Sequence, residues 1–164
     1  MSMVTQTNFD IHQPKGPIGQ VSRPQLPFAI NRFITAEDVH VGGAVKLNAD
    51  GKLEMSTSCV DAGFIGVVFR DPTLMSGAPS EDIIIKQDTT CEVMIYGHIY
   101  LRVPGTFLAG QYALVYDAVE KYWVQDVLPA IDGTSNTTQL AKYLIFDETN
   151  LSTDTVITSV QIRN

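Results

Sequence analysis

Residues 90–103 read TCEVMIYGHIYLRV, and their parity decides the fold. The odd positions Cys91, Val93, Ile95, Ile99, Leu101 and Val103 are apolar. The even positions Glu92, Met94, Tyr96, His98, Tyr100 and Arg102 are polar, charged or amphipathic. Period-two alternation belongs to a strand, whose successive side chains point to opposite faces. We therefore expect the odd set to face a core and the even set to face outward. The stretch exceeds an ordinary strand of about five or six residues, and Gly97 lies near its middle. Glycine inside a strand marks a bend, a bulge or a corner. The alternation keeps its phase across Gly97, which predicts a bend without a one-residue bulge. A long strand bent at a glycine belongs in a curled sheet. The expected fold is all-β, an antiparallel β-barrel or β-sandwich.

Outward from this strand, short apolar runs alternate with turn signals. Strands are expected at 28–34, 39–41, 44–47, 52–55, 64–69 and 83–86, and again at 111–116, 122–124, 140–146 and 155–163. Asn48-Ala49-Asp50-Gly51 supplies a hairpin turn, since Asp and Gly tolerate positive φ. Gly66 inside its strand marks a close backbone approach. Segments 72–82 and 129–138 read as loops. Thr35 to Asp38 could cap one helical turn, but nothing helical follows it. Many short strands without sustained helical period fit a barrel or sandwich. Neither a tandem repeat nor a second domain is visible.

Residues 1–27 differ from the rest. They show no helical or strand period, and prolines 14, 17, 24 and 27 and glycines 16 and 19 punctuate them. Proline fixes φ and lacks a donor, so the segment should run extended. Ile11, Ile18, Val21 and Leu26 are spread along it, more apolar residues than a solvated tail would carry. The expected organisation is an extended N-terminal arm over 1–27, lying on its own domain or a neighbour, and a single β-domain over 28–164. For the first ten residues a frayed terminus is the competing reading.

The 164 residues carry 11 Lys and Arg against 18 Asp and Glu, a formal charge of −7. That balance disfavours sequence-independent nucleic-acid binding, which needs clustered cations. No apolar stretch approaches the roughly 20 residues of a membrane span. The start MSMVTQTNFD lacks the basic and apolar regions of a signal peptide, so use without secretion is expected. Cys59 and Cys91 are too few for a disulfide framework and read as small buried hydrophobes.

Chemistry finds little support. His12, His40 and His98 stand singly, without a metal-binding spacing. No nucleophile elbow occurs, and Gly42-Gly43 precedes a strand where a phosphate loop would need a helix. The pairs Glu37-Asp38 and Glu81-Asp82 read as solvated loop charges. No cofactor or metal is expected. Tyr112, Tyr116, Tyr122 and Trp123 could form a sugar-stacking platform, though a core or subunit contact is the stronger reading. Met94, Tyr96, His98 and Tyr100 form the best-defined amphipathic stripe and are the candidate subunit interface.

The order of these features resembles the structural cement proteins of tailed-phage heads. The carriers are a Gly/Pro leader (16–20, GPIGQ), 32–38 (RFITAED), 41–45 (VGGAV), 63–67 (GFIGV), 92–103 (EVMIYGHIYLRV) and Gly110-Gln111. Together they span roughly residues 16–117. The resemblance implies a non-enzymatic virion protein, made in the bacterial cytoplasm, that binds the outer capsid surface as a homotrimer. Its partner would be the major capsid protein, whose neighbouring subunits it cross-links. The candidate capsid-binding arm residues are Ile11, Pro14, Pro17, Ile18, Val21, Pro24 and Leu26. Two other classes stay open: a carbohydrate-binding virion domain, requiring exposed Tyr122 and Trp123, and a small trimeric β-barrel enzyme.

Overall fold

The computed structural model describes residues 16–57, 63–70, 82–110, 112–113, 115–124 and 144–163. These residues contain strands and turns but no helix. The strands are β1 (Ala29–Ile34), β2 (Val39–His40), β3 (Ala44–Leu47), β4 (Leu53–Met55), β5 (Phe64–Val68) and β6 (Ile84–Ile85). They continue with β7 (Thr90–Val103), β8 (Tyr112–Ala113), β9 (Val115–Asp117), β10 (Tyr122–Val124), β11 (Leu144–Phe146) and β12 (Val156–Ile162).

β7 is the spine. The principal sheet runs β4-β3-β5-β7-β12-β11-β8, with β1 on the opposite flank of β7. Residues Thr90 to Tyr96 pair with β1, and Gly97 to Val103 pair with β12, both antiparallel. Val67 and Val68 of β5 pair with Met94 and Val93. The flank of β7 beyond β1 is taken by the chain just upstream, where Val21 bridges Ile99. At the far end of β1, Thr35 bridges Leu53 of β4 and Ala36 N–H donates to the Leu53 carbonyl at 2.8 Å. That link brings β1, β7, β5, β3 and β4 round into a curled half.

Two cores result. Val39, Val45, Leu53, Val68, Ile85, Cys91 and Val93 pack together inside the curled half, with Phe33 against them. A larger cluster gathers Val67, Met94, Ile99, Leu101, Val103, Phe146, Val160 and Ile162 beneath Tyr116 and Trp123 of the β9–β10 hairpin. The Trp123 indole N–H donates to the Gly42 carbonyl at 2.7 Å, which satisfies its polar edge inside the core.

The parity of β7 needs two corrections. Cys91 and Val93 face one cluster, whereas Ile99, Leu101 and Val103 face the other, on the side of Met94. The alternation has therefore changed face between Met94 and Ile99. Ala29 lies opposite Tyr96 and Ile30 opposite Met94, so Ile95 is an extra residue, and the expectation of a bend without a bulge fails. Gly97 follows with φ of 128°, and a Cβ there would lie 2.6 Å from Cβ of Phe28. Bulge and bend act together, because one strand serves two sheets facing different cores. The second correction concerns the even set: Met94 is fully buried and His98 is 9% exposed. The bend gives both faces of β7 a core.

Elsewhere the pattern transfers well. The turn at 48–51 is braced by Asn48 Oδ1, which accepts from the N–H groups of Asp50 and Lys52 at 3.0 Å. At Gly66 a Cβ would run into the Met94 carbonyl, the close approach that this glycine permits. The run expected as one strand at 111–116 is divided, because Tyr112 and Ala113 pair with β11 while Val115 to Asp117 pair with β10. Thr35 to Asp38 form no helical turn: the Thr35 hydroxyl bonds the Lys86 carbonyl at 2.8 Å, and Asp38 accepts from Gln87 N–H at 2.9 Å. Cys91 is buried as expected, and burial pushes its thiol up to about 12. Cys59 lies outside the described residues.

Candidate interaction surfaces

The arm expected over 1–27 is anchored from Gly16 onward on its own domain. Gly19 N–H donates to the Tyr100 carbonyl at 2.8 Å, Tyr100 N–H to the Gln20 carbonyl at 3.0 Å, and Ser22 N–H to the His98 carbonyl at 2.9 Å. Ile18 is buried over Gly42, and half-buried Val21 packs against the larger core. Pro17 is half-buried, whereas Pro24 and Leu26 are exposed. Ile11 and Pro14 lie outside the described residues. The seven arm residues thus do not form one surface.

A polar network fixes this root. Asp147 Oδ2 accepts from His98 Nδ1 and from the Ser159 hydroxyl, each at 2.6 Å. Ser159 spends its proton on Asp147, so the Ser22 hydroxyl donates to Ser159 Oγ at 2.6 Å. The Arg23 guanidinium stands 3.9 Å from the same carboxylate oxygen. Four elements meet there: the upstream segment, β7, the turn after β11, and β12. Spread over sequence positions from 22 to 159, this network carries no local motif, and sequence reading missed it.

The four stripe residues divide as well. Met94 lies in the core, His98 in the network, and Tyr100 half-buried with its ring against Gly16. Tyr96 is 40% exposed. It stands opposite Ala29 of β1, while Phe28, 45% exposed, lies against Gly97, and Leu26 is exposed two residues further upstream. Phe28 was legible only as the start of a strand; Gly97 opposite it is the signal that places it.

Chemically the surface is plain. No group of three or more His, Cys, Asp or Glu among the described residues could hold a metal ion. Asp38 is held below the usual carboxylate range by its bond to Lys86 Nζ at 2.9 Å and by Gln87 N–H. Glu37 accepts from Met55 N–H at 2.7 Å, so this carboxylate pair braces turns. Burial lowers His40. Trp123 is 1% exposed and Tyr116 is buried beside it. The exposed Tyr122–Trp123 platform that a sugar-binding domain requires is therefore not formed.

No curated protein matches the chain. The family described as structural cement protein (E217 gp24/Pam3 gp6) matches residues 5–163. The chain therefore belongs to the phage structural cement protein family: it is a non-enzymatic component of the virion capsid that stabilises the head.

Proposed function

We propose that the protein binds the outer surface of the head as a homotrimer and cross-links neighbouring major capsid subunits. The exposure of the large side chains Leu26, Phe28 and Tyr96 around the start of β1 is the observation that carries this reading. Exposed large apolar side chains beside a braced strand end favour association with a partner surface. Tyr96 is the contact residue of the stripe between subunits; Met94, His98 and Tyr100 support it from beneath. Pro24 and Leu26 meet the shell, and the leader with Ile11 and Pro14 extends the grip, while Pro17, Ile18 and Val21 form its root. Many copies engaging one lattice gain avidity, so each contact can be modest.

The test is solution mass together with occupancy on heads lacking the protein. The chain should run as a trimer, bind, and raise the temperature at which heads release DNA. Removing residues 1–15 should leave a folded trimer with reduced occupancy. A cut at residue 26 would remove Ile18, Val21 and the Ser22 bond, and damage the body itself. A monomer that leaves heads uncoated would refute the proposal.

A further inference from the structure

Residues 16–22 are tied to the body by a seam unlike the packing of either core. Gly19 N–H donates to the Tyr100 carbonyl and Ser22 N–H to the His98 carbonyl, while Tyr100 N–H donates back to Gln20 and Arg70 N–H to Gly19, all at 2.8 to 3.0 Å. Two of these amides lie on the segment and two on the body, so the seam can be read from both sides. Ile18 is the segment's buried side chain, seated over Gly42, where a Cβ would lie 2.5 Å from Ile18 Cγ2. Gly19 makes the reverse approach: with φ of 81°, a Cβ there would lie 2.5 Å from Val41 Cγ1. Gln20, Val21 and Ser22 are half-buried, whereas Ile99 and Leu101 beside them on β7 are fully buried.

Slack chain separates this segment from β1. Ser22 is bonded at His98, and Ala29 stands opposite Tyr96, two residues away on β7. The six residues 23–28 bridge that gap, which spans only about 7 Å at the usual strand rise. The surplus loops outward: Pro24 to Phe28 are exposed, and Leu26 N–H closes a turn on the Arg23 carbonyl. Phe28 pins the downstream end against Gly97. Swinging residues 16–22 away therefore turns the chain within 23–27 and leaves the ladder between β1 and β7 intact. A segment with few buried apolar contacts opens at a lower free energy than the core it rests on.

Beyond its backbone bonds, a hydroxyl relay holds the segment shut. Ser22 Oγ donates to Ser159 Oγ at 2.6 Å, the Ser159 proton goes to Asp147, and His98 fixes Asp147 in turn. Ser159 lies opposite Tyr100 in the ladder between β12 and β7, so the relay ends in the body's main sheet. We infer that residues 16–22 form a strap that opens as one unit while both cores stay folded, and that the Ser22–Ser159–Asp147 relay is its latch. Ser22 makes the closing contact, and Asp147 is a positioning residue that commits the Ser159 proton and so leaves Ser159 Oγ to accept. Opening moves Gly16, the point where the leader joins the body, without unfolding either core.

Residue-resolved amide exchange of the full chain, measured over a series of low urea concentrations, tests the strap. Tyr100 N–H points at the strap, so by strand alternation the Ile99 and Leu101 amides point at β12. Gly19, Ser22, Arg70 and Tyr100 should share one protection level, lower than that of Ile99 and Leu101 and nearly independent of urea, because opening exposes little surface. Ser22→Ala should cut that shared protection about tenfold, as for a hydrogen bond worth about 1.4 kcal/mol. Ser159→Ala should cut it equally, since its bond to Asp147 survives opening and cancels, although it lowers the melting temperature further. The double variant should lose no more protection than either single one, because the two hydroxyls share one bond. Four amides that follow Ile99 and Leu101 in level and urea dependence overturn the strap. Additive losses from the two serines overturn the latch. The free chain reads all of this, so either failure leaves the proposed function standing, and heads left uncoated leave the strap standing.

Discussion

Gly97 occupies a position that no other residue fits well. Its φ of 128° lies where a side chain is strained, and its missing Cβ leaves room for Phe28. Gly97→Val adds backbone strain and overpacking against Phe28, and we expect a loss of roughly 2–5 kcal/mol. Thermal denaturation reads this directly; a variant that melts with the wild type would remove Gly97 from the account of the bend. Asp147 is the polar counterpart. One carboxylate oxygen serves His98 and Ser159, and through Ser159 it holds Ser22. Neither residue announced its role in sequence: a glycine in a strand can be many things, and an aspartate after a short strand reads as a turn.

At the scale of elements, the short β2–β6 pair depends on side chains more than on its own ladder. It has two residues in each strand, and Asp38 braces it by bonding Lys86 Nζ and Gln87 N–H. The folded protein holds the Asp38 carboxylate below the ordinary aspartate value of about 3.8, first through its bond to Lys86 and then through Gln87 N–H. A depressed acid contributes stability above its unfolded pKa and loses it as pH falls through the folded one. Asp38→Asn should therefore reduce stability near neutrality and leave a smaller difference from the wild type at pH values below the folded pKa. Urea denaturation across that range measures it. A constant gap at all pH values would mean that the carboxylate charge has no part in the brace.

Across the whole molecule, β7 makes two cores into one cooperative unit. Val93 lies in the curled half and Leu101 in the larger core, on the same backbone eight residues apart. Cutting either side chain to alanine costs buried methyl groups, about 2–5 kcal/mol for the leucine and somewhat less for the valine. Because the strand is shared, Val93→Ala and Leu101→Ala should each lower a single calorimetric transition. Two separable transitions would show that the halves unfold independently. The net charge of −7 acts at this scale too, opposing non-specific association in solution.

Alternation, turn residues and the absence of helical period determined by themselves that the chain is all-β, where most strands lie, and that residues 90–103 form its centre. These are local properties, since a strand's period and a turn's backbone demands are written within a few residues. The order of short elements also sufficed to suggest the cement family. Tertiary structure alone decided that β7 changes face at Ile95 and Gly97, because a bulge is defined by its partner strand and β1 supplies the count. It likewise decided that Met94 and His98 are buried and that residues from 16 onward belong to the body. Each depends on which distant segment lies alongside. The stretch TCEVMIYGHIYLRV fixes a strand, but only its neighbours determine which core each side chain enters.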